Sequence, residues 1–164
     1  MIHTTIDSPL GELLLTGEGD TLHGLHMPID GKPAPVPKDS QYSETAFPAA
    51  RRQLREYFAG ERTDFDVPVE LHGTSFQVRV WQALRDIPYG DTISYAELAR
   101  RVGVPSAFRA LGATNGLNPI AVIVPCHRVI GANGKLTGYA GGLERKRLLL
   151  DLEAGKLAID TTLK

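Results

Sequence analysis

Cysteine is almost missing from this chain: Cys126 is the single one in 164 residues. A lone thiol excludes an internal disulfide framework and suits a reducing compartment. It also excludes a zinc site built on paired thiolates. Among His3, His23, His26, His72 and His127, only His23 and His26 are close in sequence, with no further ligand near them. No metal and no cofactor are therefore expected. Long apolar runs are missing too. Nothing approaches the ~20 residues of a membrane span, and the N-terminus lacks a basic-then-apolar signal pattern. The cytoplasm is the expected compartment. Repeats and low-complexity segments are absent, and 42% apolar with 23% charged residues is ordinary for a globular protein.

An excess of either charge is also missing on average, since the net charge is −1. That argues against a polyanion partner until the chain is divided. Residues 1–93 hold eight Lys/Arg against fourteen Asp/Glu, whereas residues 94–147 hold eight against two. The second half carries a positive field that the average hides.

The pattern predicts strands at 2–6, 12–16 and 21–26, the first two joined by the turn Ser8-Pro9-Leu10-Gly11. Residues 28–43, rich in Pro and polar side chains, read as a loop. A helix is expected at 47–59, with Ala50, Leu54 and Phe58 on one face and Gly60 as its stop. Another strand at 64–69 closes a first unit, and the boundary falls around His72-Gly73. Beyond it, Thr74-Ser-Phe-Gln77 and Ser94-Tyr-Ala-Glu97 are capping boxes that start helices. Ser106 is placed to cap a third helix over 107–115, closed by Gly116. Helix, a turn at Gly103-Val104-Pro105, then helix is the spacing of a helix-turn-helix. A last helix is expected at 143–153, and the tail from Ala154 has little pattern.

Cys126 closes the apolar run Ile120-Ala121-Val122-Ile123-Val124 and is followed by His127-Arg128-Val129. The run reads as a buried strand. A lone Cys is more often an inert core residue than a nucleophile. Here an imidazole and a guanidinium follow it directly, which favours thiolate over thiol. Asn118 stands eight residues before Cys126, Arg109 nine before Asn118, and Glu153 twenty-seven after Cys126. With Thr137-Gly-Tyr-Ala-Gly-Gly142, these residues resemble the O6-alkylguanine-DNA alkyltransferases (methylated-DNA–protein-cysteine methyltransferases) of the bacterial, zinc-free type. The resemblance runs from Thr74 to Glu153 and is weak before that. Some relatives carry a zinc site built from extra cysteines in the first domain, and this sequence lacks those cysteines.

The resemblance implies an α+β protein: a small mixed α/β domain with a sheet at 1–72, then a mostly helical, winged helix-turn-helix-like domain at 73–164. It implies single-turnover transfer of an alkyl group from O6-alkylguanine, with O4-alkylthymine as a further substrate. Cys126 would be nucleophile and final acceptor. His127 would take the thiol proton through a water, with Glu153 orienting the imidazole, the acid–base–orienter logic of a hydrolase triad. Asn118 would be a hinge between the helix-turn-helix and the active-site strand. Tyr95 would donate to the departing base. Pro125, Val129, Tyr139, Ala140 and Gly141 would form the pocket.

The third helix would enter the minor groove, with Arg109 filling the gap left by the flipped base. Ala110, Gly112 and Ala113 would lie close to the backbone, and Ser94 and Tyr95 would also face DNA. Such a helix is poor in base-reading side chains, which suits a protein that works at any sequence. Phe108 and Thr114 depart from the small residues expected there. The partner is double-stranded DNA, and the protein is expected to be a monomer, with cooperative assembly on DNA left open.

Each residue also has a plainer role: Glu153 as a solvated helix residue, Asn118-Pro119 as a turn, Tyr95 as packing, Arg109 as surface charge. Strand alternation adds a constraint. Were 126–128 extended, His127 would point away from Cys126, so the chain must turn at Cys126. Arg128 is read as a brace against acidic groups of 1–93, Trp81 as core, and Cys126 as tightly packed. Three other functions compete: a lesion-binding relative without the nucleophile, a helix-turn-helix regulator, and a cysteine hydrolase. Cys126 itself disfavours the first, and the scarcity of base-reading side chains the second. The third needs a distant base and an oxyanion hole.

Overall fold

A computed structural model describes residues 1–134, 136, 139 and 141–156, with the Phe108 side chain excepted. The proposed pocket residue Ala140, Thr137, Gly138 and the tail from 157 lie outside the described residues.

Three strands, β1 (Ile2–Ile6), β2 (Leu13–Glu18) and β3 (Thr21–His26), form an antiparallel meander. β2 lies in the middle, and its first five residues are all buried. That placement explains its run of leucines, which does not alternate as a half-exposed strand would. A fourth short strand, β4 (Gln41–Tyr42), pairs in parallel with β1, so the order is β3-β2-β1-β4. β4 falls inside the segment read as loop. Two exposed residues held mainly by backbone pairing leave no hydrophobic period to find.

Helix α1 (Pro48–Phe58) buries Ala50, Leu54 and Phe58 as the pattern requires, and also Gln53 and Tyr57. The expected strand at 64–69 reduces to a bridge between Val69 and Leu22. It is held by Leu22 N–H on the Pro68 carbonyl and Glu70 N–H on that of Leu22. Pro68 has no N–H of its own, which limits the ladder there.

Helix α2 (Ser75–Leu84) starts at a complete capping box between Thr74 and Gln77. Trp81 is core, and its indole N–H donates to the Thr114 carbonyl at 2.9 Å. Strand β5 (Ile93–Ser94) leads into α3 (Tyr95–Val102). Ser94 caps Glu97 N–H, but the Glu97 carboxylate turns to Arg100 and Arg101 instead of closing the box. Gly103, at φ +83°, ends α3 in the left-handed region that favours glycine. Helix α4 (Phe108–Gly116) follows and packs against α2 and α3. Ser106 does not cap it: the N-cap is Ala107, without a side-chain hydrogen bond, and the helix continues through Gly116. Strand β6 (Val129–Ile130) pairs in parallel with β5, and α5 (Leu143–Glu153) is the last helix among the described residues.

A single apolar core joins the two halves, from Leu13, Leu15 and Leu54 through Leu84 and Leu98 to Val124 and Leu149. No helix among the described residues is long and apolar enough to cross a membrane.

Candidate active site

Residues 120–124 do not make the expected strand. Ile120 forms one bridge with Leu25, and the Leu25 N–H and carbonyl bind Pro119 O and Ala121 N–H at 2.9 and 3.2 Å. The chain then reverses at Val122, whose φ is +70°, with Ile123 N–H on the Ala121 carbonyl at 2.8 Å. A γ-turn at positive φ is strained for a β-branched residue. Burial of every side chain from Ile120 to Val124 holds it. An apolar run signals burial and says nothing of direction, which is why it reads as a strand.

Asn118 ties the turn together. Its Nδ2 donates to the Val124 carbonyl at 2.6 Å, and its Oδ1 accepts Ile120 N–H at 3.0 Å. The chain leaves this turn at Pro125 and enters a single 3₁₀ turn over Cys126–Arg128. The required bend at Cys126 is therefore present. Asn115, which sequence reasoning passed over, donates to the Cys126 carbonyl at 3.3 Å.

Behind the thiol lies a buried charged cluster. His127 Nε2 is 2.7 Å from Glu153 Oε2. Arg128 grips both carboxylate oxygens, Nε to Oε1 at 2.8 Å and Nη2 to Oε2 at 3.0 Å, and donates from Nη1 to the Ile87 carbonyl. Glu153 is thus no solvated helix residue, being 6% exposed. The expected brace between the two units is not seen: the partners of Arg128 are Glu153, the Ile87 carbonyl and the Tyr89 ring, all within 73–164, and no carboxylate of 1–93. Tyr57 of α1 completes the set by donating its hydroxyl to Glu153 Oε2 at 2.5 Å.

Burial alone would raise the Glu153 carboxyl. Hydrogen bonds and charge from His127 and Arg128 outweigh it and hold the pKa at about 2. Glu153 is therefore ionised, and His127 Nε2 must be the donor in their bond. Burial, opposed by Glu153, lowers the His127 pKa and keeps the ring neutral. Its Nδ1 is then a lone pair, buried, with no protein partner.

The thiol itself departs from expectation. Burial raises the Cys126 pKa, and the opposing pulls of Asn118 and Lys146 do not reverse it. The nearby guanidinium does not help, because Arg128 is committed to Glu153. Cys126 at rest is a thiol that needs a base. Lys146, one of the eight Lys/Arg counted in 94–147, is fully buried and donates to the Val129 carbonyl at 2.6 Å.

Cys126 is 5% exposed yet is not tightly packed on all sides. It opens into a cavity of about 370 Å³ that Asn118, Pro119, Ala121, Tyr139 and Gly141 line from the second half. Leu25, Met27, Ala34 and Pro35 line it from the first. The Tyr139 hydroxyl is buried without a conventional partner. Pro125 and Val129 flank the 3₁₀ turn as core residues and are not among those lining this cavity.

On α4, Arg109, Ala110 and Ala113 are exposed, and a side chain at Gly112 would meet nothing within 4 Å. Leu111 points inward. Thr114 is buried and so does not face a groove. Ser94 is used as the α3 cap. Tyr95 is half-buried, with Lys146 Nζ 5.9 Å from its ring centre.

A buried thiol with an imidazole on the next residue, beside a helix that exposes small residues, is the arrangement expected from the resemblance, and comparison with known proteins shows the family. Residues 1–71 match the model for the ribonuclease-like domain of 6-O-methylguanine DNA methyltransferase, and residues 75–155 the model for its DNA binding domain. The chain belongs to this methyltransferase family. A methylated-DNA–protein-cysteine methyltransferase of Mycobacterium bovis is 55% identical, with 99% of each chain covered. One from Methanosarcina acetivorans is 50% identical over 93% of this chain and 98% of the relative. The crystal structure of Mycobacterium tuberculosis OGT in complex with DNA superposes with a TM-score of 0.91 at 53% identity, covering 99% of both chains.

One cluster outside the methyltransferase site corrects the sequence reading. His23 Nε2 and His72 Nε2 lie 3.0 and 3.4 Å from Glu70 Oε2, so three groups that can ligate a metal meet. His26 is not among them. His23 is far in sequence from Glu70 and His72, and the bridge between Leu22 and Val69 brings them together. Tyr57, Lys146, Asn115 and Met27 were likewise hidden, since a half-buried helix or strand pattern does not reveal which residue meets a distant one.

Proposed function

We propose that this chain repairs alkylated DNA by moving the alkyl group from O6 of guanine, or O4 of thymine, to Cys126, once per molecule. The observation that carries the reading is Cys126 at the floor of an apolar cavity, with the free Nδ1 of a Glu153-oriented imidazole on the adjoining residue. His127 Nδ1 accepts the thiol proton through a water, and the doubly held Glu153 stabilises the imidazolium that results. The sulfur then displaces the alkyl carbon in line. The S–C bond forms, the C–O6 bond breaks, and its electron pair passes to the base. Tyr95 donates to the base as that charge develops. The thioether formed has no good leaving group, so the protein is consumed.

The target base must leave the stack to reach a cavity of this kind. The exposed face of α4 is suited to the minor groove, with Arg109 in the vacated position and Ala110, Gly112 and Ala113 against the backbone. Asn118 acts as the hinge joining α4 to the thiol-bearing turn. Units 1–72 and 73–164 are the two domains, and the reducing cytoplasm is where a lone functional thiol would persist.

Incubation with an oligonucleotide carrying O6-methylguanine, followed by intact-protein mass, tests the reading. One methyl group per protein, on Cys126, is expected. Several turnovers per molecule would exclude it.

A further inference from the structure

The cavity at Cys126 is built by both halves of the chain, and the share of the first half is unexplained by the chemistry above. Met27 follows β3, is 8% exposed, and packs directly on the pocket loop. A Cβ placed on Gly141 would stand 2.6 Å from Met27 Cε and 3.0 Å from its sulfur. The segment carrying Met27 is held at both ends. Leu25 is hydrogen-bonded to Pro119 and Ala121 of the active-site turn, and the Pro28 carbonyl accepts from Arg145 of α5 at 2.7 Å. Ala34 and Pro35 line the same apolar side. A transferred methyl group needs none of these walls.

We propose that Met27 sets the upper size of the alkyl group that can be delivered to Cys126. The inference rests on the alkyl-transfer reading. In transfer from O6-benzylguanine, the benzylic carbon must lie against the sulfur while the ring occupies apolar space beyond it. Methionine is unbranched and adaptable, so it yields to groups of different shape where a branched or aromatic side chain would not. Sequence reasoning could not find it, because Met27 sits at the edge of the polar, Pro-rich segment.

The test measures transfer rates from duplex oligonucleotides carrying O6-methylguanine and O6-benzylguanine, for the full chain and for Met27→Ala and Met27→Phe. Met27→Ala should raise the benzyl-to-methyl rate ratio by roughly threefold, and Met27→Phe should lower it by about tenfold or more. Opposite movements of one ratio are not produced by a general loss of folding, which slows both substrates together. Should Met27→Phe not fold, Ala34→Leu narrows the same wall and should lower the ratio in the same direction. A ratio unchanged in the narrowing and widening variants alike, or moved the same way by both, overturns the inference while leaving the function intact. Absence of methyl transfer by the unaltered protein would instead overturn the function, and this inference with it.

Discussion

Helices α4 and α5 both contact the turn that carries Cys126, but they are built on opposite terms. α4 turns Arg109, Ala110 and Ala113 to solvent, and Leu117, just after it, is 62% exposed. α5 instead buries two of its charged residues: Lys146 and Glu153 are both inside, each hydrogen-bonded. A helix that meets a partner must stay open, and its residues cost little to change. A helix that tunes a base must exclude water, and each charge there depends on its neighbours. The comparison separates substitutions that should alter recognition from those that should alter folding and proton transfer.

The sharpest break lies at the thiol between them. Cys126→Ala should abolish transfer while leaving DNA binding in place, because Arg109 and the α4 face do not use the sulfur. Mass spectrometry and a gel-shift titration read the two separately. Loss of DNA binding as well would mean that the helix and the nucleophile are not separable.

Next in size is the α5 side. Glu153→Ala leaves Arg128 buried without its carboxylate partner, and breaking such a pair costs about 3–5 kcal/mol. At ~2–4 °C per kcal/mol for a chain of this length, the melting temperature should fall by roughly 10 °C. The pH dependence has a sign. The folded pKa of Glu153, about 2, is below its unfolded value, so its stabilisation is complete above about 4.5 and is lost as pH falls towards 2. His127, lowered by burial, favours the folded state above its unfolded pKa near ~6.5 and opposes it as pH falls below. Both act in the same direction, so thermal melts should decline from neutral pH into acid. The Cys126 thiol is raised, so transfer should speed up as pH rises through the neutral range. A rate that stays flat there is what a sulfur already ionised at rest would give.

The α4 side should behave differently. Arg109→Ala is expected to slow repair in duplex DNA by about tenfold or more, because filling the vacated stack offsets a flipping cost of a few kcal/mol. Melting temperature and transfer from free O6-benzylguanine should barely move. Binding should also depend only modestly on salt. Of the positive charges in 94–147, Arg128 and Lys146 are buried, and Arg100 and Arg101 are paired with Glu97. Fewer phosphates are neutralised than the sequence count suggests.

This contrast also marks how far the sequence could be read. Some local signals were faithful, since the Thr74–Gln77 box starts α2 and α5 spans 143–153 as expected, whereas Ser106 does not cap α4. Cys126, His127, Glu153 and Asn118 do meet in one place. Directions and distant partners were not legible. Val122 turns where an apolar run suggests extension, because burial fixes hydrophobicity and the γ-turn depends on long-range packing. Arg128 finds Glu153, and the thiol rests protonated, for reasons of desolvation that no spacing encodes.

Tyr57→Phe should have the smallest effect and most sharpens the comparison. Tyr57 lies on α1, in the half least like an active site in its sequence, yet its hydroxyl reaches Glu153 at 2.5 Å across 96 residues. Phe keeps the ring and its packing against Phe58, Phe65 and Tyr89, so the change removes one hydrogen bond and little else. A bond to an ionised group contributes about 1.5–3 kcal/mol, and the carboxylate keeps His127 and Arg128 as donors, so the lower end is expected. The melting temperature should drop by a few degrees. Without the hydroxyl, Glu153 draws more strongly on the imidazolium, so the His127 pKa should rise. Methyl transfer should keep its rate within severalfold, while its pH profile shifts upward. A loss of stability with an unmoved pH profile would make Tyr57 a packing residue alone. A shifted profile would establish that α1, in the first half of the chain, helps set the strength of the base that serves Cys126.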